Sequence, residues 1–379
     1  PPRPALGGNE VAPDLVRAVA IALVVVIHTA GAVANEGPAQ GVAAWWAANV
    51  YDSLARPGVP LFVMLSGWLL LAPERRSEPL SRFFRRRGQR VVLPLVCWSL
   101  IAYAWIGVRD GHAVLWTGFW RALVNGPVFY HLWFLYLLLG LYLVIPLLRP
   151  LVAEAGPPLR RYALGLWFIG SSVLPLWTWW GGPNVGVPVL VVSSYVGYLL
   201  AGAWLGAVPI GSRAGRELGI LLILTGLWTM SATARLTGTE QTNVVLYGYD
   251  RPNVLVMSVA AFVLLTQPRP AAWVARHPRL HRVVGAIATT SLGTYLAHAL
   301  ILDALASRRL GIHVTGASLP PAIGIPLLAA AVLAGSVVLM LGVRRVWGLG
   351  TLLGAGTPER PGHSRFNRLD HGETTIPAA

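Results

Sequence analysis

Apolar residues run along this chain in blocks of about 20, separated by short stretches rich in arginine, glycine and proline. Blocks of that kind match neither the two-residue alternation of a half-buried strand nor the narrow stripe of a soluble amphipathic helix. They suit helices that cross a membrane: at about 1.5 Å per residue, 20 residues span a hydrocarbon core about 30 Å thick. Ten candidate helices follow, at 14–34, 44–72, 91–108, 131–151, 161–180, 188–208, 217–236, 252–267, 285–306 and 321–343. The eighth is short. The second is long and holds Pro57, Gly58 and Pro60. Proline removes a backbone donor and crowds the preceding turn, so a kink or break is expected there. The expected fold is therefore all-α and polytopic, with about ten transmembrane helices. Residues 1–12 form a short N-terminal segment and 13–348 the helical domain; the Pro-, Gly- and charge-rich stretch 349–379 is expected to be a disordered tail.

Composition agrees. Of 379 residues 55% are hydrophobic and 12% charged, about half the charge of a soluble chain. The formal net charge of +15 comes entirely from arginine, since the chain has no lysine. Such a basic balance raises nucleic acid as a partner, but the arginines sit in the short connections between apolar blocks, where the positive-inside rule accounts for them. With the N-terminus cytoplasmic, the inner connections hold Arg75, Arg82, Arg85, Arg149, Arg213 and many others, and the outer ones only Arg109, Arg121, Arg235, Arg251, Arg308 and Arg309. That asymmetry predicts both termini inside. Trp45, Trp46, Trp116, Trp120, Trp177, Trp179 and Trp180 fall near the predicted outer boundary, as an interfacial belt does. No small-residue cleavage site follows the first block, which reads as a permanent span. The single Cys97 excludes an internal disulfide. The histidines lack a cluster of companion ligands, so no metal site is expected.

Polar residues inside the apolar blocks carry the candidate chemistry, because an ionisable group in hydrocarbon is costly unless it is paired or lines a polar space. Arg17 and His28 are 11 residues apart in the first block; eleven steps of about 100° return to nearly the same face, about 16 Å along the axis. Arg17 also reads as a snorkelling anchor, and His28 as a partner in an interhelical hydrogen bond. Asp52 and Arg56 stand at i and i+4 and can pair beside the proline break. Ser66 and Gly67 are small enough to admit a neighbouring helix. Arg87 and Arg90 open the third helix on one face, where guanidinium forks would bind phosphates. His131 begins the fourth span, either as an anchor or as a site residue. In the ninth, Ser291, Tyr295 and His298 follow spacings of four and three and share a face. By this topology His28, Asp52, Arg56, His131 and His298 lie in the outer half; Arg17, Arg87 and Arg90 lie in the inner half. One polar passage joining the two halves would explain the distribution.

Several segments, in order, resemble the acyltransferase-3 family of integral-membrane acyltransferases. They are Arg17-x10-His28, VPLFVMLSGWLL at Val59 to Leu70, Arg87-x-x-Arg90 ahead of VVLP, HLWFLYLLLGLYLVIPLLR at His131 to Arg149, and SLGTYLAH at Ser291 to His298. The last two look most like the branch that O-acetylates bacterial envelope polysaccharides. The resemblance implies a multi-pass protein of the bacterial cytoplasmic membrane. It implies an acyl-CoA donor, usually acetyl-CoA, with no permanently bound cofactor, and a sugar or glycan acceptor on the outer side. It also implies that Arg17, His28, Arg87 and Arg90 are needed. His28 is then the catalytic candidate and Arg17, Arg87 and Arg90 hold the donor; depth and spacing, rather than the resemblance, add Arg56 and His298 to the catalytic candidates and Asp52, His131 and Tyr295 as contacts of the acceptor. The partners are then acyl-CoA, the glycan and the lipid bilayer, not nucleic acid. A secondary transporter or lipid-linked-sugar flippase is the competing class, against which the absence of an internal repeat counts.

Overall fold

The computed structural model describes residues 11–75, 77–111, 115–182, 194–206, 208–346 and 348–355. Among them the regular elements are all helical. Seven helices are long and apolar enough to cross a membrane: Val11–Ala34, Val42–Leu70, Leu80–Asp110, Tyr130–Glu154, Ser212–Leu236, Pro278–Ala306 and Pro321–Val343. An eighth candidate is the pair Val244–Leu265 and Pro268–Ala275, bent by 54°. Its bend falls where Pro268 cannot donate, and the Gln267 amide turns back to the Val263 and Val208 carbonyls. The fifth expected span is a helical run from Pro157 to Trp179, interrupted by a π turn at Ile169–Val173. The expected sixth span is described only from residue 194, where an apolar helix covers Tyr195–Leu205; 188–193 lie outside the described residues.

In chain order the helices are α1 (Val11–Ala34), α2 (Val42–Ala55), α3 (Gly58–Leu70), α4 (Leu80–Arg87), α5 (Leu93–Asp110), α6 (Trp116–Asn125), α7 (Trp133–Glu154), α8 (Pro157–Phe168) and α9 (Leu174–Trp179). They continue with α10 (Ser194–Leu205), α11 (Ser212–Leu236), α12 (Pro252–Leu265), α13 (Pro268–Ala275), α14 (Pro278–Ala306), α15 (Pro321–Val343) and α16 (Leu349–Leu352). The expected break in the second span is present: Arg56 and Pro57 separate α2 from α3. The first described part of the expected tail, α16, packs on the bundle, with the Leu353 carbonyl accepting from the Trp98 indole and Ala355 buried. Residues 356–379 lie outside the described residues.

α1 is the hub. It packs against α2, α3, α14 and α15, and Val16, Ala20, Ile21, Val24 and Val25 on it are buried. Near its start Ala18 clusters with Val284 at the start of α14. Near its end His28 meets His298 near the end of α14. The two helices therefore run parallel, which requires an odd number of crossings between them.

The closest helix approach is between α3 and α10. A Cβ on Gly67 would fall inside the Leu199 backbone, and one on Gly202 inside the Met64 backbone. Backbone-to-backbone packing of this kind is how small residues drive helix association in lipid. Gly67→Val should therefore lower stability by at least about 1–3 kcal/mol, the usual cost of overpacking. Thermal unfolding of the purified variant checks this; an unchanged midpoint would contradict the contact.

Candidate active site

α1 and α14 bring together His28 and His298, 270 residues apart in sequence. His28 Nδ1 and His298 Nε2 are 2.6 Å apart. The rings are nearly coplanar, with an interplanar angle of 14° and centroids 4.9 Å apart, so they meet edge to edge through this nitrogen pair. His298 is fully buried, and its Nδ1 contacts the Tyr295 carbonyl three residues earlier on the same helix.

The protons in this chain follow from one fact: a carbonyl only accepts. His298 Nδ1 must therefore carry the proton given to the Tyr295 oxygen. In the neutral ring its Nε2 is then the acceptor, so His28 donates through Nδ1. His28 Nε2 is left holding a lone pair, and this ring is partly exposed while His298 is not. Tyr130, 52% exposed, stands edge-on to the His28 ring with centroids 5.2 Å apart. The arrangement sets up a base at a defined atom, held from behind by two successive hydrogen bonds.

His131 and Tyr295 form the floor. His131 is fully buried, and its Nε2 donates to the Leu296 carbonyl at 3.1 Å. Its Nδ1 has no hydrogen-bond partner among the described residues. The Tyr295 hydroxyl donates to the His131 carbonyl. The two side chains thus tie the start of the fourth span to α14 and fix the turn on which His298 stands.

Asp52 and Arg56 pair as their spacing predicts. Asp52 is buried, and the Arg56 guanidinium lies 4.1 Å from the centre of the Tyr247 ring. The segment that brings Tyr247 here, Thr237–Arg251, escapes a hydropathy reading because it is polar. It folds back over α2: the Tyr247 hydroxyl donates to Asn49, and the Trp45 indole donates to Thr242. Trp45 is therefore buried rather than part of an interfacial belt, whereas Trp46, Trp116, Trp120, Trp177, Trp179 and Trp180 are exposed.

At the other end of α1, Arg17 pairs with Asp14 at 2.6 Å. Arg87 leans on the rings of Phe83 and Tyr142. A π turn at Gly88–Val92 follows it and carries Arg90, which is exposed. The wider i→i+5 turn changes the rotation per residue at this point of the helix. Arg149 is a group the sequence reading passed over. It is 4% exposed, pairs with Glu78 at 2.8 Å, donates to the Leu70 carbonyl and lies 4.8 Å from the centre of the Phe83 ring. Arg86 approaches the same carboxylate at 3.4 Å. The signal available was an arginine after Pro146 in a helix otherwise apolar, which positive-inside charge seemed to explain.

Two surface grooves stand out, one lined by Leu227, Trp228 and Arg235, the other by Tyr103, Asn125 and Val128. Neither takes in His28 or Arg87. No group of three or more metal-ligating side chains occurs among the described residues.

A family model described as an acyltransferase domain, that of the acyltransferase-3 family, matches residues 10–341. No curated protein and no solved structure matches the chain.

Proposed function

This chain belongs to the acyltransferase-3 family and is a membrane acyltransferase, and we propose that it moves an acyl group, acetyl above all, from cytoplasmic acyl-CoA to a hydroxyl of a sugar or glycan on the outer side. The observation that carries this reading is the hydrogen-bonded chain from the Tyr295 carbonyl through His298 to His28. His28 Nε2 takes the proton of the acceptor hydroxyl as its oxygen attacks the thioester carbonyl. Charge gathers on that carbonyl oxygen, and Arg56, already oriented by Asp52 and Tyr247, is the cation we assign to receive it. The tetrahedral adduct collapses by breaking the carbon–sulfur bond. The thiolate of CoA leaves and takes the proton from His28, which restores the neutral pair. His298 acts from behind by holding the tautomer, and His131 and Tyr295 by holding His298.

The donor's phosphates belong at the arginine-rich end. Arg17 on α1, Arg87 against Phe83 and Tyr142, and Arg90 on the π turn face the side that the arginine asymmetry assigns to the cytoplasm. About 16 Å of helix rise separates Arg17 from His28, a distance an extended pantetheine arm covers. A version in which His28 Nε2 itself takes up the acetyl group and hands it to the acceptor uses the same lone pair.

The test uses purified protein in lipid nanodiscs. CoA at one hundred times its Kd should stabilise the fold by about 2.7 kcal/mol, and dephospho-CoA less. Labelled acetyl-CoA should pass its acetyl group to an envelope-glycan fraction. A label trapped on the protein without acceptor selects the acyl-histidine version. No thermal response to CoA together with no transfer would sink the reading.

A further inference from the structure

Three aromatic rings from three separate elements face one another, one of them three residues from Tyr130, the ring edge-on to His28. Trp133, at the start of α7, lies against Tyr249 with centroids 6.1 Å apart and an interplanar angle of 26°. Tyr195, on α10, stands 6.0 Å from Trp133 and 6.4 Å from Tyr249. All three are partly exposed rather than buried. Their polar ends, the two hydroxyls and the indole N–H, have no hydrogen-bond partner among the described residues. Partly exposed, these polar ends are open to solvent or to a ligand, while the rings offer apolar faces. The Tyr249 backbone is fixed by its carbonyl, which accepts from the Tyr198 hydroxyl at 2.9 Å.

The cluster is joined to the base through its neighbours in the chain. Tyr130, three residues before Trp133, is the ring edge-on to His28. Phe134, next to Trp133, lies 5.3 Å from the ring of Tyr295, on whose carbonyl His298 rests. Arg56 lies over the ring of Tyr247, two residues before Tyr249. Apolar faces with a few polar tips match a ligand that is itself apolar on one face and hydroxylated around its edge. A pyranose has that character, since its axial C–H groups present an apolar face to a ring and its hydroxyls radiate outward. An acyl chain would use the faces and leave the three donors and Arg56 idle.

The geometry points to Trp133, Tyr195 and Tyr249 as the platform for a pyranose ring of the acceptor, with Tyr130 and Arg56 at its rim, so that one ring hydroxyl meets His28 Nε2. This rests on the acyl-transfer reading above and adds the shape of the group that accepts: a six-membered sugar ring, not an open-chain polyol.

The test is saturation-transfer NMR on the whole protein in nanodiscs free of glycosidic detergent. The probes are methyl β-D-glucopyranoside, methyl α-D-mannopyranoside and the N-acetylglucosamine methyl glycoside, with sorbitol as the open-chain control. At least one glycoside should receive saturation on its C–H protons, and sorbitol none. Trp133→Ala and Tyr249→Ala should each weaken that binding roughly tenfold. Trp133→Phe should retain most of it, and all three variants should keep the thermal response to CoA, which also reports that they fold. The platform is overturned if no glycoside is saturated by the unmodified protein, if sorbitol is saturated equally, or if Trp133→Ala leaves glycoside binding intact. Loss of the CoA response in Trp133→Ala, with glycoside binding kept, assigns the rings to the donor instead. Failure of the acyl-transfer reading itself is distinguished by the absence of any CoA response in the unmodified protein.

Discussion

His28→Ala is expected to abolish acyl transfer, and His298→Ala to lower kcat by about 10²–10⁴-fold, the range a positioned proton acceptor supplies. The two losses have different causes. Alanine at 28 removes the atom that accepts the proton. Alanine at 298 leaves that atom present but releases its ring, which then samples the tautomer and rotations in which Nε2 carries a proton or points away. Because His298 is fully buried behind His28, its loss should fall on kcat and leave the KM for acyl-CoA nearly unchanged. His298→Gln offers an amide oxygen near the former Nε2 position and should recover part of the rate. Steady-state kinetics on the three variants decides. Equal losses in the alanine and glutamine variants, with KM raised in both, would show that the ring matters only as packing.

Arg149→Ala is expected to cost up to about 3–5 kcal/mol of stability, because it leaves the buried Glu78 carboxylate with only the longer 3.4 Å contact from the exposed Arg86. Glu78 is 9% exposed and Arg149 4% in their side chains. The guanidinium also donates to the Leu70 carbonyl and faces the Phe83 ring, so it fastens the end of α3 and the start of α4 to α7. Glu78→Ala should cost a similar amount, with Arg149 left holding only the Leu70 carbonyl. Changing both together, Arg149→Met with Glu78→Leu, should cost clearly less than the sum, since no stranded charge remains. Thermal unfolding of the three variants in nanodiscs completes the cycle. Additive losses would mean that the two groups act separately and the pair is not the fastening.

Much of this was readable from local spacing. The four-residue step from Asp52 to Arg56 produced the pair because Arg56 caps the helix that carries Asp52 and keeps its helical backbone conformation. Pro57 broke the span, since its missing N–H acts whatever packs nearby. Gly67 admitted a helix, as a side chain without bulk can. What spacing could not reveal was which helices meet. His28 and His298 each read as a polar residue on an apolar face, and only the parallel packing of α1 and α14 turns them into one chain of hydrogen bonds. The π turn at Gly88–Val92, which begins just after Arg87 and contains Arg90, was not readable either, since no residue type announces it. Arg149 and the segment Thr237–Arg251 were passed over because charge and polarity near a membrane boundary have an ordinary explanation. Their burial comes from tertiary contacts, with Glu78 for the one and with Asn49 and Trp45 for the other.

The proton wire behind His28 ends on a main-chain oxygen. Relays that end on a carboxylate can be silenced when acid neutralises it, or erased by a single codon change. A peptide oxygen is open to neither, since every amino acid brings one. Whatever residue replaces Tyr295, the imidazole above it still finds the same terminus, provided the helix keeps its turn. The polarity of the pair is thus written into the backbone, and drift in side chains at that position can loosen the floor without reversing the wire.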